Sequence, residues 1–191
     1  MFLLRRPSLD TIEEWRLRLA NAAFSYEHVG CTRGSAPSGF TTDRNRVFLG
    51  TGKTAFESAR RALFQWRMFP NPLTSVFAGS DEPVPGTVAA VLASHFGFYS
   101  LNFCRVVYLL DEDGPIRRAG FAYGTLIEHA ERGEELFSVE WHRRDDSVHY
   151  EVLAYSQPAH WLARLGYPLA RHLQRRFARE SLAAMAAAAR H

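Results

Sequence analysis

The feature that most restricts the fold is the stretch from Leu73 to Ser156, where apolar or alternating runs follow one another across short clusters of turn residues. "LTSVFA", "TVAAVLASHF", "NFCRVVYLL", "IRRAGFAYGTLI", "EELFSVEWHR" and "VHYEVLAYS" read as strands, with "GSDEPVPG", "DEDGP" and "RDDS" among their connections. Tight connections of this kind join antiparallel neighbours. In "EELFSVEWHR" Phe137, Val139 and Trp141 share one face while Ser138, Glu140 and His142 share the other, so one side is expected to be buried and the other wet.

After Pro158 the pattern turns helical. A short helix, "AHWLARLG", meets Pro168, and a long helix then runs almost to the C-terminus. Leu162, Leu165, Leu169, Leu173 and Phe177 keep to one stripe, extended by Leu182 and Met185. A helix of about 20 residues is about 30 Å long, enough to lie across a whole curved sheet. The expected fold class is therefore α+β, a curved antiparallel sheet wrapped around a long C-terminal helix, the helix-grip arrangement. One helix cannot fill a deeply concave sheet unless the inward residues are large, so an apolar cavity between the two is expected. Fourteen Phe, seven Tyr and four Trp suit such a cavity with broad planar walls.

Ahead of the strands, Asp10 and Glu13 form a capping-box pattern for a first helix whose Ile12, Trp15, Leu19 and Ala23 share a face. The polar segment from Ser25 to Arg46 is too irregular for a periodic element and reads as a loop. A short strand at 47–49 and a helix from 55 to about 67 follow, with Phe56, Ala59, Leu63 and Trp66 on its buried face. Between them lies "GTGKT". A phosphate-binding loop needs a glycine five residues before the Gly-Lys pair, and that position is Val47, inside the strand. The plainer reading is a sharp strand-to-helix turn with Thr54 and Glu57 as a second capping box. One domain is expected over 1–191, with 1–24 an N-terminal helical extension and 25–191 the helix-grip domain.

The net charge of +3 invites a nucleic-acid reading, yet only Lys53 among the 23 basic residues is lysine, a bias that reflects coding preference more than surface design. Arg171, Arg175, Arg176 and Arg179 on the last helix read as a solvated face, with a nucleic-acid or acidic-membrane surface as the competing view. No nucleic-acid partner is expected. Two cysteines without a CxxC spacing and eight histidines without ligand spacing point to no metal and no cofactor. With no signal-peptide pattern and no transmembrane segment, a cytoplasmic location is expected.

The phrases "FSYEHVGCTRG", "LGTGKTAFESARRALFQWRMF", "GFAYGTLIEHAERGEELFSVE" and "AYSQPAHWLARLGYPLARHLQRRFARES" resemble uncharacterised protein family 0548, a domain of unknown function in bacteria and plants, over roughly residues 24 to 185. The resemblance implies a single-domain protein and supplies no catalytic residues. The order of elements, separately, suggests the START-like superfamily.

Site candidates therefore rest on chemistry. His95 interrupts the most apolar strand, where an imidazole needs a hydrogen-bonding partner, either from the protein core or from a ligand. Tyr123 and Thr125 share a face with Phe121 and offer two hydroxyls to orient a ligand, or else pack as ordinary core. Glu135 is a candidate acid–base group, whereas Glu140 is expected to point outward. Tyr26, His28, Cys31 and Arg33 are candidates for a rim or lid, and Cys31 beside His28 is a weak candidate thiol nucleophile. The leading expectation is a binder of a small apolar or aromatic molecule or lipid. The alternative is an enzyme, cyclase- or hydrolase-like, using His95 or Glu135 in the same cavity. A third reading is an interaction protein that uses its basic last helix.

Overall fold

Alternation settles which side of each strand is buried. The computed structural model describes residues 1–69, 74–79, 82–95, 97–127, 131–158 and 167–190. The elements in chain order are β1 (Phe2–Leu3), α1 (Leu9–Arg18), a 3-10 turn (Cys31–Arg33), β2 (Thr41–Thr51), α2 (Gly52–Phe64), β3 (Thr74–Phe77), β4 (Val88–His95), β5 (Phe98–Glu112), β6 (Ile116–Thr125), β7 (Glu131–His142), β8 (Ser147–Pro158) and α3 (Tyr167–Ala188). The strands form one antiparallel sheet in the order β2-β8-β7-β6-β5-β4-β3, and β1 adds to the N-terminal half of β5. Consecutive strands from β3 to β8 are neighbours, as their tight connections require, while β2 crosses over to pair with β8. Register shifts at Phe48/Gly50 and Val106/Tyr108 mark bulges, which bend strands.

Both faces of the sheet carry a core. On the concave face α2 and α3 cover Phe121, Phe137, Val139, Val148, Tyr150 and Val152. Phe56, Ala59, Leu63 and Trp66 are all buried there, as their spacing predicts. On the opposite face α1 lays Ile12 and Leu19 over Val88, Ala90, Leu92, Leu101 and Phe103. The guanidinium of Arg105 donates to the carbonyls of Leu19 and Ala22, satisfying acceptors that the end of α1 leaves open.

Several expectations shift. Thr41–Arg46 is not loop but the first half of β2, its residues alternating between half-buried and exposed. Ser8, not Asp10, caps α1, its hydroxyl accepting from the Thr11 amide at 3.1 Å, and Glu13 instead binds Arg16. The second helix begins at Gly52, so Thr54 lies inside its first turn. Gly52, at φ +83°, makes the sharp turn, and its amide donates to the carbonyl of Asp146 at 2.8 Å. That hydrogen bond removes a donor a phosphate would need, in keeping with the failed motif.

The long terminal helix is present, with Pro168 in its first turn, where a missing N–H is harmless. Phe177 and Leu182 pack on the concave core, Met185 is fully buried and Leu173 is half-buried. The predicted short helix, with Leu162 and Leu165, and the side chain of Leu169 lie outside the described residues. Tyr150, beneath the helix, shares a 2.9 Å hydrogen bond with Ser181. No described helix is long and apolar enough to cross a membrane. Because Met185 is enclosed completely, Met185→Ala is expected to lower unfolding stability by about 2–5 kcal/mol in urea titration. A loss below about 1 kcal/mol would mean that the sheet does not grip the helix.

Candidate functional site

Cross-strand register builds the concave face row by row. One row runs Asn45, Val152, Phe137, Phe121 and is apolar apart from its edge. The next runs Asp43, Ala154, Glu135, Tyr123, Val106, and here two carboxylates and a phenol enter the interior. The small side chain of Ala154 separates Asp43 from Glu135.

The first half of α3 meets this polar row. Arg171 makes a two-pronged ion pair with Asp43, its Nη2 donating to Oδ1 at 2.6 Å, and Nη1 also donates to Gln174 Oε1 at 2.8 Å. Gln174 in turn donates to Glu131. Burial raises the Glu131 carboxyl, with Gln174 and Arg171 opposing the rise. The tyrosine hydroxyl of Tyr123 donates to Glu135 Oε2 at 2.9 Å. Burial pushes the Glu135 carboxyl up to about 7, the Tyr123 bond opposes the rise, and the charges of Glu131 and Asp43 add to it. Glu135 nevertheless keeps some accessible surface.

Aromatic rings pack next to this polar row. Phe137 lies 5.1 Å from Tyr123 and 5.7 Å from Phe121, centre to centre. Phe69 bridges Phe137 to Phe177 of α3. Burial also raises the phenols of Tyr123 and Tyr150 and the Cys104 thiol, with the Glu135 charge adding to each, so all three stay protonated near neutrality.

The opposite face carries a different cluster. Glu134, 2% exposed, accepts from the Tyr26 hydroxyl at 2.6 Å, the Gly30 amide at 2.6 Å, the Thr32 amide at 3.0 Å and the Thr32 hydroxyl at 2.5 Å. The hydroxyl end of Tyr26 packs against Gly124, where an added Cβ would come within 2.1 Å of the tyrosine oxygen. Arg33 stacks over the Tyr108 ring at 4.0 Å. Tyr26 and Arg33 thus do not lie beside Tyr123 and Glu135; they pin the 26–33 segment to the far side of the sheet. Cys31 lies in this segment with its thiol pushed up to about 11 by burial and the Glu134 charge, which argues against a thiolate nucleophile. A shallow surface depression beside it is lined by His28, Cys31, Ser35 and Pro37 among others.

Of the remaining candidates, Thr125 shares its hydroxyl with Ser25 at 2.6 Å and Gly133 at 2.9 Å, so it is already engaged. His95 ends β4 opposite Phe98, and its side chain lies outside the described residues. Glu140 does face outward but is not solvated: it is 8% exposed beneath Arg118, Arg46 and His142. Arg171 is tied into the interior instead of forming a wet stripe, while Arg175 and Arg179 are exposed. Among the described residues no cluster of His, Cys, Asp and Glu could hold a metal ion. Asp43, Glu131 and Glu134 escaped the sequence reading. Two adjacent glutamates on an alternating strand were a usable signal, since one of them had to face inward.

Residues 25–184 match the family described as "Domain of unknown function (DUF1990)". The chain belongs to that family. Among DUF1990 relatives, the "UPF0548 protein" of Dictyostelium discoideum is 34% identical over 95% of this chain and 92% of its own length. The "UPF0548 protein" of Deinococcus radiodurans is 34% identical, covering 94% of each. Among solved structures, Ara h 8.0201 superposes with a TM-score of 0.51 at 13% identity, covering 79% of this chain and 98% of the other. The DUF1990 chain has the START-like helix-grip fold expected from its element order.

Two outcomes follow from the paired glutamates. Glu134→Ala strands four donors and is expected to cost about 3 kcal/mol, whereas Tyr26→Phe removes one bond and should cost about 1 kcal/mol. Urea titration reads both, and the Gly30 and Thr32 amides should lose exchange protection in Glu134→Ala. Glu135 behaves in the reverse sense. Folded, it holds its proton to about pH 7, whereas the unfolded carboxyl releases it near 4.5. Stability is therefore lost as pH rises across that window. Glu135→Gln is expected to match the parent below pH 4 and to exceed it by about 1–3 kcal/mol above pH 8. A constant difference across the titration would refute the shifted carboxyl.

Proposed function

We propose that the space between the concave face and α3 binds a small apolar or aromatic molecule, with Glu135 and Tyr123 orienting its polar group. The observation that carries this reading is Glu135 itself, a carboxyl held in a largely apolar interior with accessible surface beside it and a raised proton affinity. Nothing about stability favours such a residue, because a glutamine would accept the Tyr123 bond without the burden of a buried charge. Perturbed ionisable groups of this sort concentrate where ligands bind. The aromatic lining supplies apolar contact, and the tyrosine–glutamate pair fixes orientation.

An enzyme acting on an apolar substrate in the same space is the second reading. The Glu135 carboxyl near pH 7, with the Tyr123 hydroxyl 2.9 Å away, is suited to exchange a proton with a bound molecule at neutral pH. The carrier and enzyme readings share one site and differ in whether the ligand leaves unchanged.

Native mass spectrometry of freshly purified protein, together with titration of the neutral apolar fluorophore N-phenyl-1-naphthylamine, tests the shared premise. A co-purified apolar species or saturable fluorophore binding at one site is the expected result. Absence of both would mean a filled interior and end the proposal.

A further inference from the structure

We infer that the end of the molecule where β1 meets the His95–Phe98 end of β4 and β5 docks on an anionic membrane surface. The alternation of β1 presents apolar side chains to water. Leu3 turns inward and packs on the core beneath α1, which sends Phe2 and Leu4 outward, 67% and 87% exposed. Leu9, which opens α1, is 66% exposed, so three of the nine exposed large hydrophobic side chains among the described residues fall between positions 2 and 9. Single exposed apolar residues are ordinary, whereas a group of them marks a contact surface. Topology brings this group to one end. β1 runs antiparallel to the start of β5, with Phe2 opposite Ser100 and Leu3 opposite Tyr99, so the chain leaves β1 beside Phe98. From there α1 runs to Arg105, further along the same strand, which binds the carbonyls of Leu19 and Ala22. Leu9 therefore starts its helix at the end where Phe2 stacks edge-on against Phe98 at 5.8 Å.

Charge selects the occupant. Arg5 and Arg6 lie between Leu4 and Leu9, both are exposed, and neither joins an ion pair among the described residues. On α1, Glu13 is paired with Arg16, while Asp10 and Glu14 follow Leu9. The attraction is thus confined to the Arg5–Arg6 step, and weak, reversible binding is expected. Protruding side chains suit a bilayer better than a folded partner, which would need a surface shaped to receive each of them. Acyl chains close around an apolar side chain of any shape, and the guanidinium groups stay among the lipid phosphates. The tip is also held in place, by the burial of Leu3 and by the Leu101 amide donating to the Met1 carbonyl at 2.9 Å. Little conformational freedom is then lost when it inserts.

The test uses the full chain, with any affinity tag on its C-terminal side, sedimented with large vesicles of phosphatidylcholine alone or with about one third phosphatidylglycerol. The anionic vesicles are expected to bind the protein at about tenfold lower lipid concentration than the neutral ones, and about 0.5 M salt should remove most of that difference. Arg5→Gln with Arg6→Gln is expected to abolish the preference for anionic lipid. Phe2→Ser with Leu4→Ser should weaken binding to both kinds of vesicle by about tenfold or more. All four positions are exposed or at the rim of the fold, and should the serine pair fail to fold, the glutamine pair still decides the matter. Arg175→Gln with Arg179→Gln, on the exposed side of α3, is expected to change nothing. Absence of vesicle binding overturns the inference, as does equal binding to the two lipid compositions. So does undiminished binding by the folded serine pair, or a loss of binding confined to the α3 variant. Self-association that Phe2→Ser with Leu4→Ser removes, without vesicle binding, overturns it in favour of a second copy of the chain as the occupant.

Discussion

The two-residue alternation of β7 is the constraint on which the rest depends. Glu134 and Glu135 are consecutive, so a strand must send them to opposite faces. The same side-chain chemistry then meets two environments. Glu134 receives four donors from the 26–32 segment and becomes a structural fastener. Glu135 receives one phenol, faces other carboxylates and keeps its proton to unusually high pH. A one-residue slip of β7 would exchange these roles and place Phe137 and Val139 on the wrong face, which is why register here is strongly specified.

Along the strands the interior changes character in a graded way. Rows near the β7–β8 turn are apolar and lie under α2, with Phe56 and Leu63 fully buried. Rows nearer the start of β2 bring in Asp43, Glu135 and Tyr123 and lie under the first half of α3. The division separates work: one end supplies the stability that lets the other end carry an uncomfortable carboxyl. The opposite core, beneath α1, adds support for β4 and β5 without touching the polar row.

Much of the architecture was legible because it obeys simple periods. Strand succession from β3 to β8, the buried face of α2 and the terminal helix all follow from spacing. The first half of β2 was not legible, for a reason tied to the site. In "TTDRNR" the inward residues Thr41, Asp43 and Asn45 are as polar as the outward ones, so no hydrophobic alternation announces the strand. Those inward residues face the polar end of the interior, and the property that hid the strand is the one that helps shape the site. Pairs such as Asp43 with Arg171, or Tyr26 with Glu134, join residues more than a hundred positions apart and leave no trace in local spacing. The misassignment of Tyr26 and Arg33 arose similarly, since an irregular segment carries no periodic signal of which face it covers.

The terminal helix is fixed by unlike means at its two ends. Towards the C-terminus Met185 and Leu182 are wedged among apolar side chains, while near its start Arg171 and Gln174 grip Asp43 and Glu131 by polar bonds. Interdigitated packing resists sliding and has no partial state, whereas a polar clasp can exchange protein partners for water one bond at a time. Loosening of the helix is accordingly expected to start at the Arg171 end and to pivot about Met185, like a door hung on one side and latched on the other.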